Sequence, residues 1–370
     1  MIHRTARHQR ATITVAAAVL AGVALSACSS SGGSSSPGST AAASPDATTS
    51  SSSSSSSGGS TAAPVKVTIT SFEGSFASLS EYVADSEGFF TKNGITPNFV
   101  NVTSGSAAMQ ALLAGSANMA NVAIYESLET AAEGESTKFI VGAATSTFGE
   151  LVVSSKVKLP PASAGYSAVL KALKGMKIGV SSKTSATYYT LAIALQDAGL
   201  NPNTDVTVVS AGSLAAQLTA LDSGQLQAFM SQEPTTTQAV DGGNQVAFYA
   251  YKGSRPAIFD NLITNGIAAT DSYISANPAA VKGVHDAIAE ADNYIAGLTA
   301  AQISTLATKI ASDFPGVNHS VLTAAITHYQ KLFTPTMSTA GVAAANKVLL
   351  EFGAIKKAVP YADVVGPTAQ

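Results

Sequence analysis

Residues 104–120 read SGSAAMQALLAGSANMA, and residues 213–229 read SLAAQLTALDSGQLQAF. Aligned on Gly115 and Gly224, each stretch begins with serine, runs through an amphipathic segment, meets a glycine and ends in a short apolar run. The spacing of Met109, Leu112 and Leu113, and of Leu214, Leu218 and Leu221, predicts a helix with one apolar face in each copy. Ser104 and Ser213 suit the N-cap, where a hydroxyl accepts a bond from an otherwise unpaired backbone N–H. Gly115 and Gly224 suit the left-handed position that stops a helix. The runs that follow, Asn118–Ala123 and Gln227–Ser231, have the length of buried strands. Each copy is thus a helix feeding a strand of a parallel sheet. Two such units predict two similarly built α/β lobes, and a cleft between lobes implies a ligand.

Strand and helix patterns continue on both sides of each repeat. Val65–Thr70, Ile95–Val102, Phe139–Ala144, Lys177–Val180, Val206–Val209 and Gln245–Tyr249 read as strands. Glu150–Ser155 reads as a strand leaving the first lobe, and apolar Leu262–Ala268 as a return to it. A helix is expected over Tyr188–Ala198, stopped by Gly199 and Pro202. From Asn277-Pro278, a cap followed by a first-turn proline, the chain reads as helical to its end, with turns at Pro315 and Pro335.

The first residues carry a different message. Arg4, Arg7 and Arg10 precede an apolar run from Ala11 to Leu25 that ends Leu25-Ser26-Ala27-Cys28. This is the pattern of a secretory signal. It resembles a bacterial lipobox, whose cysteine is lipidated and becomes the new N-terminus. Cys28 is the only cysteine in the chain, so no disulfide partner competes for it. The apolar run is shorter than the roughly 20 residues a membrane span needs. Residues 29–64 are nearly all Ser, Gly, Ala, Thr and Pro, with Asp46 the only charge. Such a segment has little apolar surface to bury. Its 36 residues would reach roughly 30–36 Å as a flexible coil, a leash between lipid and body.

The body from Val65 to Gln370 is long enough for two domains. Beyond residue 27 the chain carries 17 basic and 23 acidic side chains, and Arg255 is its one arginine. That balance, without tryptophan, argues against nucleic-acid binding. His285, His319 and His328 lack metal-ligand spacing, so no metal or cofactor is expected. No G-x-S-x-G, H-E-x-x-H or P-loop is present, and the chain is read as a non-enzyme.

A family comes into view in longer stretches. EYVADSEGFFTKNGI (81–95) and GSAAMQALLAGSANMANV (105–122) resemble the opening lobe of nitrate/taurine/sulfonate-type substrate-binding proteins of ABC importers. LKGMKIGVSSKTSATYYTLAIALQDAGLNPNTDVTVV (173–209) and LDSGQLQAFMSQEP (221–234) resemble their second lobe. NPAAVKGVHDAIAEADNYIAG (277–297) and LLEFGAIKKAVPYADVV (349–365) are similar to their later helices. The resemblance covers essentially the whole body, in order. One departure stands out: the family's acidic position in its "ID-x-A" strand is Asn118 in one lobe and Gln227 in the other, and is given no binding role.

The resemblance implies a type II periplasmic-binding-protein fold, two α/β lobes joined by two crossover strands. The expected organisation is a signal at 1–27, lipidated Cys28 and tether at 28–64, lobe one at 65–153 and 262–370, and lobe two at 154–261. Crossovers are expected near Glu150–Ser155 and Tyr249–Leu262. The implied function is a monomeric, extracytoplasmic, membrane-anchored binding protein. It would pass a small nitrogenous, heterocyclic or sulfonate-like molecule to permease and ATPase subunits. Alternatives implied by the same fold are a ligand-sensing lipoprotein and a thiamine-pyrimidine-synthase-like enzyme; the latter needs a cysteine- and histidine-rich constellation that the body lacks.

Ligands of open α/β sheets lie beyond the carboxyl ends of the strands. The candidate binding residues are accordingly Ser71, Phe72, Glu73, Ser75 and Phe76 after the first strand, and Ser104, Gly105 and Ser106 at the first repeat. Tyr125 and Glu126 follow the third strand; Thr184, Ser185, Thr187, Gln232 and Glu233 come from the second lobe. Acids beside aromatic rings, with no arginine, favour a neutral or amine-bearing ligand. The competing reading holds an oxyanion at helix N-termini with help from Lys183.

Overall fold

The computed structural model describes residues 63–144, 147–262 and 265–370. The signal, Cys28 and all but the last two tether residues lie outside the described residues. No helix among those described is long and apolar enough to cross a membrane.

The chain first lays down β1 (Val65–Ser71), α1 (Leu79–Ser86), α2 (Phe89–Lys92), β2 (Ile95–Asn101), α3 (Gly105–Leu113), β3 (Met119–Ala123), α4 (Ile124–Ala132) and β4 (Thr137–Gly142). It then builds β5 (Glu150–Val153), α5 (Tyr166–Lys171), β6 (Lys177–Val180), α6 (Ala186–Asp197), β7 (Thr207–Ser210), α7 (Leu214–Asp222), β8 (Ala228–Ser231), α8 (Thr235–Asp241) and β9 (Gln245–Tyr249). It returns through β10 (Asn265–Thr270) and closes with α9 (Asp271–Ala276), α10 (Pro278–Gly297), α11 (Ala300–Lys309), α12 (His319–Tyr329), α13 (Thr339–Glu351) and α14 (Tyr361–Val364).

Two five-stranded sheets result, ordered β2-β1-β3-β10-β4 and β7-β6-β8-β5-β9. Each has three parallel strands followed by one antiparallel strand, β10 or β5, that pairs on both sides. In each sheet the antiparallel strand is the one that has just arrived from the other lobe. This corrects the expectation for Glu150–Val153. These residues do not leave the first sheet; they sit inside the second, between β8 and β9. The first crossover therefore ends before Glu150, and lobe one does not extend to residue 153. Apolar residues on both faces made the segment legible as a buried strand, but strand character carries no information about which sheet it joins.

The two quoted repeats do what their spacing requires. Ser104 Oγ accepts from Ala107 N and Ser213 Oγ from Ala216 N. Gly115 and Gly224 both have left-handed φ, +71° and +79°. Asn118 and Gln227 also play one matched part: Asn118 Oδ1 accepts from Thr68 N at 2.8 Å, and Gln227 Oε1 from Lys177 N at 3.0 Å. In each lobe this side chain extends the ladder to the neighbouring strand by one bond. Leu113 is the exception on the apolar faces, since it is exposed.

Helix α10 buries Val281, Val284, Ile288, Ala291 and Ile295 against the first lobe. The C-terminal segment returns to the same sheet, where Val365 bridges Phe139 of β4. The lobes adjoin through apolar contact as well: Tyr125 of α4 faces Tyr189 of α6 with ring centroids 4.8 Å apart.

Candidate functional site

The carboxyl ends of β1, β3, β6 and β8 all open on one cleft between the lobes, the place the topology reserves for a ligand. The cleft has about 730 Å³ of space, its open mouth included. Phe72, Glu73, Ser75, Ser104, Gly105 and Glu126 line it from the first lobe, and Ser185, Thr187 and Gln232 from the second. Among the described residues no lysine, arginine or histidine does so.

Three helices point their first turns at this space: α3 through Ser104 and Gly105, α6 through Ser185, Ala186 and Thr187, and α7 through Ser213 and Leu214. First-turn N–H groups have no carbonyl of their own helix to bond, so each turn presents donors and a partial positive charge. At α6 the hydroxyls of Ser181, Ser185 and Thr187 bond one another at 2.7–2.9 Å and form a polar wall.

Glu126 stands among these termini. It is 3% exposed, and neither carboxyl oxygen completes a hydrogen bond. A Cβ built on Gly105 would lie 2.1 Å from its Oε1, so the carboxyl rests against the first turn of α3 and only glycine leaves it room. Burial pushes its pKa up to about 8; backbone N–H groups, including Ala186 across the cleft, offset part of that, and Glu129 adds to it. Glu73 is exposed at the rim.

Side chains from the two lobes already meet across the opening. Ser75 Oγ donates to Gln232 Oε1 at 3.0 Å. Ser106 Oγ lies 2.7 Å from Thr184 Oγ1 and 3.1 Å from Ser182 Oγ. Ser106 and Thr184, expected in the site, thus form a latch at its edge and are absent from its wall.

Four expected residues stand elsewhere. Ser71 is buried and its hydroxyl donates to Asn101 Oδ1 at 2.7 Å. Phe76 is wholly buried in the first lobe's core, edge-on to Phe314 and Tyr329 at 5.3 and 5.9 Å. Tyr125 is wholly buried in the seam with Tyr189, because α4 begins at Ile124 and turns its ring away from the cleft. Glu233 is buried behind the cleft, where its Oε2 accepts from Thr237 N at 3.0 Å and its Oε1 is 2.7 Å from His328 Nδ1. Beside it, Tyr329 OH donates to Glu150 Oε1 at 2.9 Å and Thr236 Oγ1 donates to Glu150 Oε2 at 2.8 Å. Glu150 is fully buried, and its pKa rises to about 8 through desolvation and the nearby Glu233. This group of side chains joins β5 and α8 of the second lobe to α12 of the first. Arg255 lies away from the cleft, paired with Asp260.

The sequence reading passed over Asn121, Asn265 and Phe148, which also line the cleft. Asn265 Nδ2 donates to Asn121 Oδ1 at 3.2 Å and to Ala77 O at 3.1 Å, while Asn265 Oδ1 has no partner. Asn121 in turn donates to Glu81, whose pKa burial pushes up to about 7. A signal existed for Asn121: it is the one amide inside the apolar strand Met119–Ala123.

Solved structures share the architecture. A protein from Bordetella bronchiseptica RB50 is 24% identical with a TM-score of 0.68, over 81% of this chain and 94% of that one. The alkanesulfonate-binding protein SsuA from Xanthomonas axonopodis pv. citri, bound to MOPS, is 18% identical with a TM-score of 0.67, over 82% and 99%. The periplasmic nitrate-binding protein NrtA from Synechocystis PCC 6803 is 12% identical with a TM-score of 0.62, over 81% and 83%. These likenesses show a two-lobed periplasmic-binding-protein fold. No curated protein matches by sequence. The NMT1-like family matches residues 66–311, and the chain belongs to that family.

Proposed function

We propose that this protein is an extracytoplasmic solute-binding protein of an ABC importer, held at the membrane by lipid on Cys28. It acts as a monomer, closes on a small organic molecule and presents it to permease and ATPase subunits. The fold, the family and the likeness to sulfonate- and nitrate-binding proteins support the transport reading. The ligand carries hydrogen-bond donors, as an amine or an N–H-bearing heterocycle does. The observation that carries this choice is a cleft wall with two carboxyl side chains, Glu73 and Glu126, and no basic one. Phe72 offers an aromatic surface beside them. Closure costs little chemistry: a ligand touching both walls favours the closed state by its differential affinity.

Small-angle scattering tests the clamshell. A panel of amines and aminopyrimidines is expected to contain a compound that lowers the radius of gyration and stabilises the fold by about 2.7 kcal/mol at 100 times its dissociation constant. Stabilisation without compaction would count against a closing mechanism. For the anchor, Cys28→Ala is expected to move the protein from the membrane fraction to the medium. Retention of the variant on membranes after a salt wash would exclude lipid on Cys28 as the tether.

A further inference from the structure

The first turns of α3 and α6 face one another from the two lobes, with Gly105 on one side and Ala186 on the other. Both helices exceed two turns, so each carries the full end charge. The space between them is the natural seat of an oxyanion. It is not vacant of charge-bearing atoms: the Glu126 carboxyl lies there, against the Gly105 Cα and within the field of the Ala186 N–H. Its two oxygens are buried and have no hydrogen-bond partner. A carboxyl and a nitrate or sulfonate group compete for the same volume and the same donors. Held at once, the two would overlap in that volume, and an ionised carboxyl would face the anion in a buried site with no cation between them.

We propose that Glu126 is the specificity-determining residue of the cleft: its carboxyl occupies the cradle between the α3 and α6 N-termini, turns free oxyanions away, and accepts a donor group of the ligand. The proposal rests on reading this cleft as the ligand site. It also assigns the Gly105 position a reason, since any Cβ there would displace the carboxyl.

The test needs no knowledge of the natural ligand. Wild type, Glu126→Ser and Glu126→Gln are titrated with sodium nitrate and sodium methanesulfonate, at constant ionic strength in chloride, by calorimetry and thermal unfolding. Glu126→Ser empties the cradle and is expected to bind at least one of the two anions ten-fold or more tightly than wild type. Glu126→Gln keeps the volume and puts a fixed amide donor in place of a group that can ionise; it is expected to gain as well, and carries the test if the serine variant does not fold. Wild type binding both anions as tightly as the variants overturns the proposal, and so does the absence of saturable anion binding in both variants. Compaction of wild type on methanesulfonate would overturn it while leaving the binding-protein reading intact.

Discussion

Between pH 5 and pH 8 the wild-type protein is expected to lose roughly 3–4 kcal/mol more folding stability than Glu126→Gln, at about 1.36 kcal/mol per pKa unit. The folded-state pKa of Glu126 is raised to about 8 from an ordinary value of 4.5, chiefly by burial. The unfolded chain therefore releases this proton first. Stability from the protonated carboxyl is fully present below the unfolded value and is lost as pH climbs through the folded one. Glu81 and Glu150, raised to about 7 and about 8 by burial, add the same trend to both proteins and cancel in the comparison. Urea unfolding at pH 5, 6.5 and 8 measures the difference. Parallel profiles for the two proteins would mean that the carboxyl is solvated in solution, and the occupied cradle would fall with it. The absolute stability of the variant at a single pH is less informative, because a buried amide without partners carries its own cost.

Phe76→Ala is expected to destabilise the protein by about 3–5 kcal/mol, the usual cost of deleting a buried aromatic ring. Phe76 has no exposure and touches Phe314 and Tyr329 edge-on, so the change opens a cavity where α12 meets the loop after β1. Denaturant midpoints at constant slope would read the loss. A ligand role for this ring predicts the reverse pattern, weakened binding with little change in stability. Phe72→Ala supplies the comparison, since Phe72 is only partly buried and lines the cleft.

How far the sequence could be read follows from the range of the interactions involved. Ser104 and Ser213 as caps, Gly115 and Gly224 as stops and the stripe on α10 are local: each depends on neighbours within one or two turns, and each is in the structure. The general location of the cleft followed as well, because loops at strand carboxyl ends converge in any open α/β sheet. Which side chains of a loop face inward did not. Phe76 and Phe72 are four residues apart in one loop, yet one is core and the other cleft. Glu126 and Tyr125 are adjacent, yet the start of α4 at Ile124 turns them to different neighbours.

The sequence by itself determined two α/β units, their repeated helix–glycine–strand element and candidate loops without an arginine, since periodicity, capping and composition are properties of short segments. Only the tertiary structure decided that β5 belongs to the second sheet, that Glu233 is packed behind the cleft against His328, and that Asn121 and Asn265 line it. It alone brought Glu126 to the N-termini of helices from both lobes. Those outcomes depend on contacts between residues tens to hundreds of positions apart. They arise from packing two sheets against each other, where local preference leaves the choice of partner open.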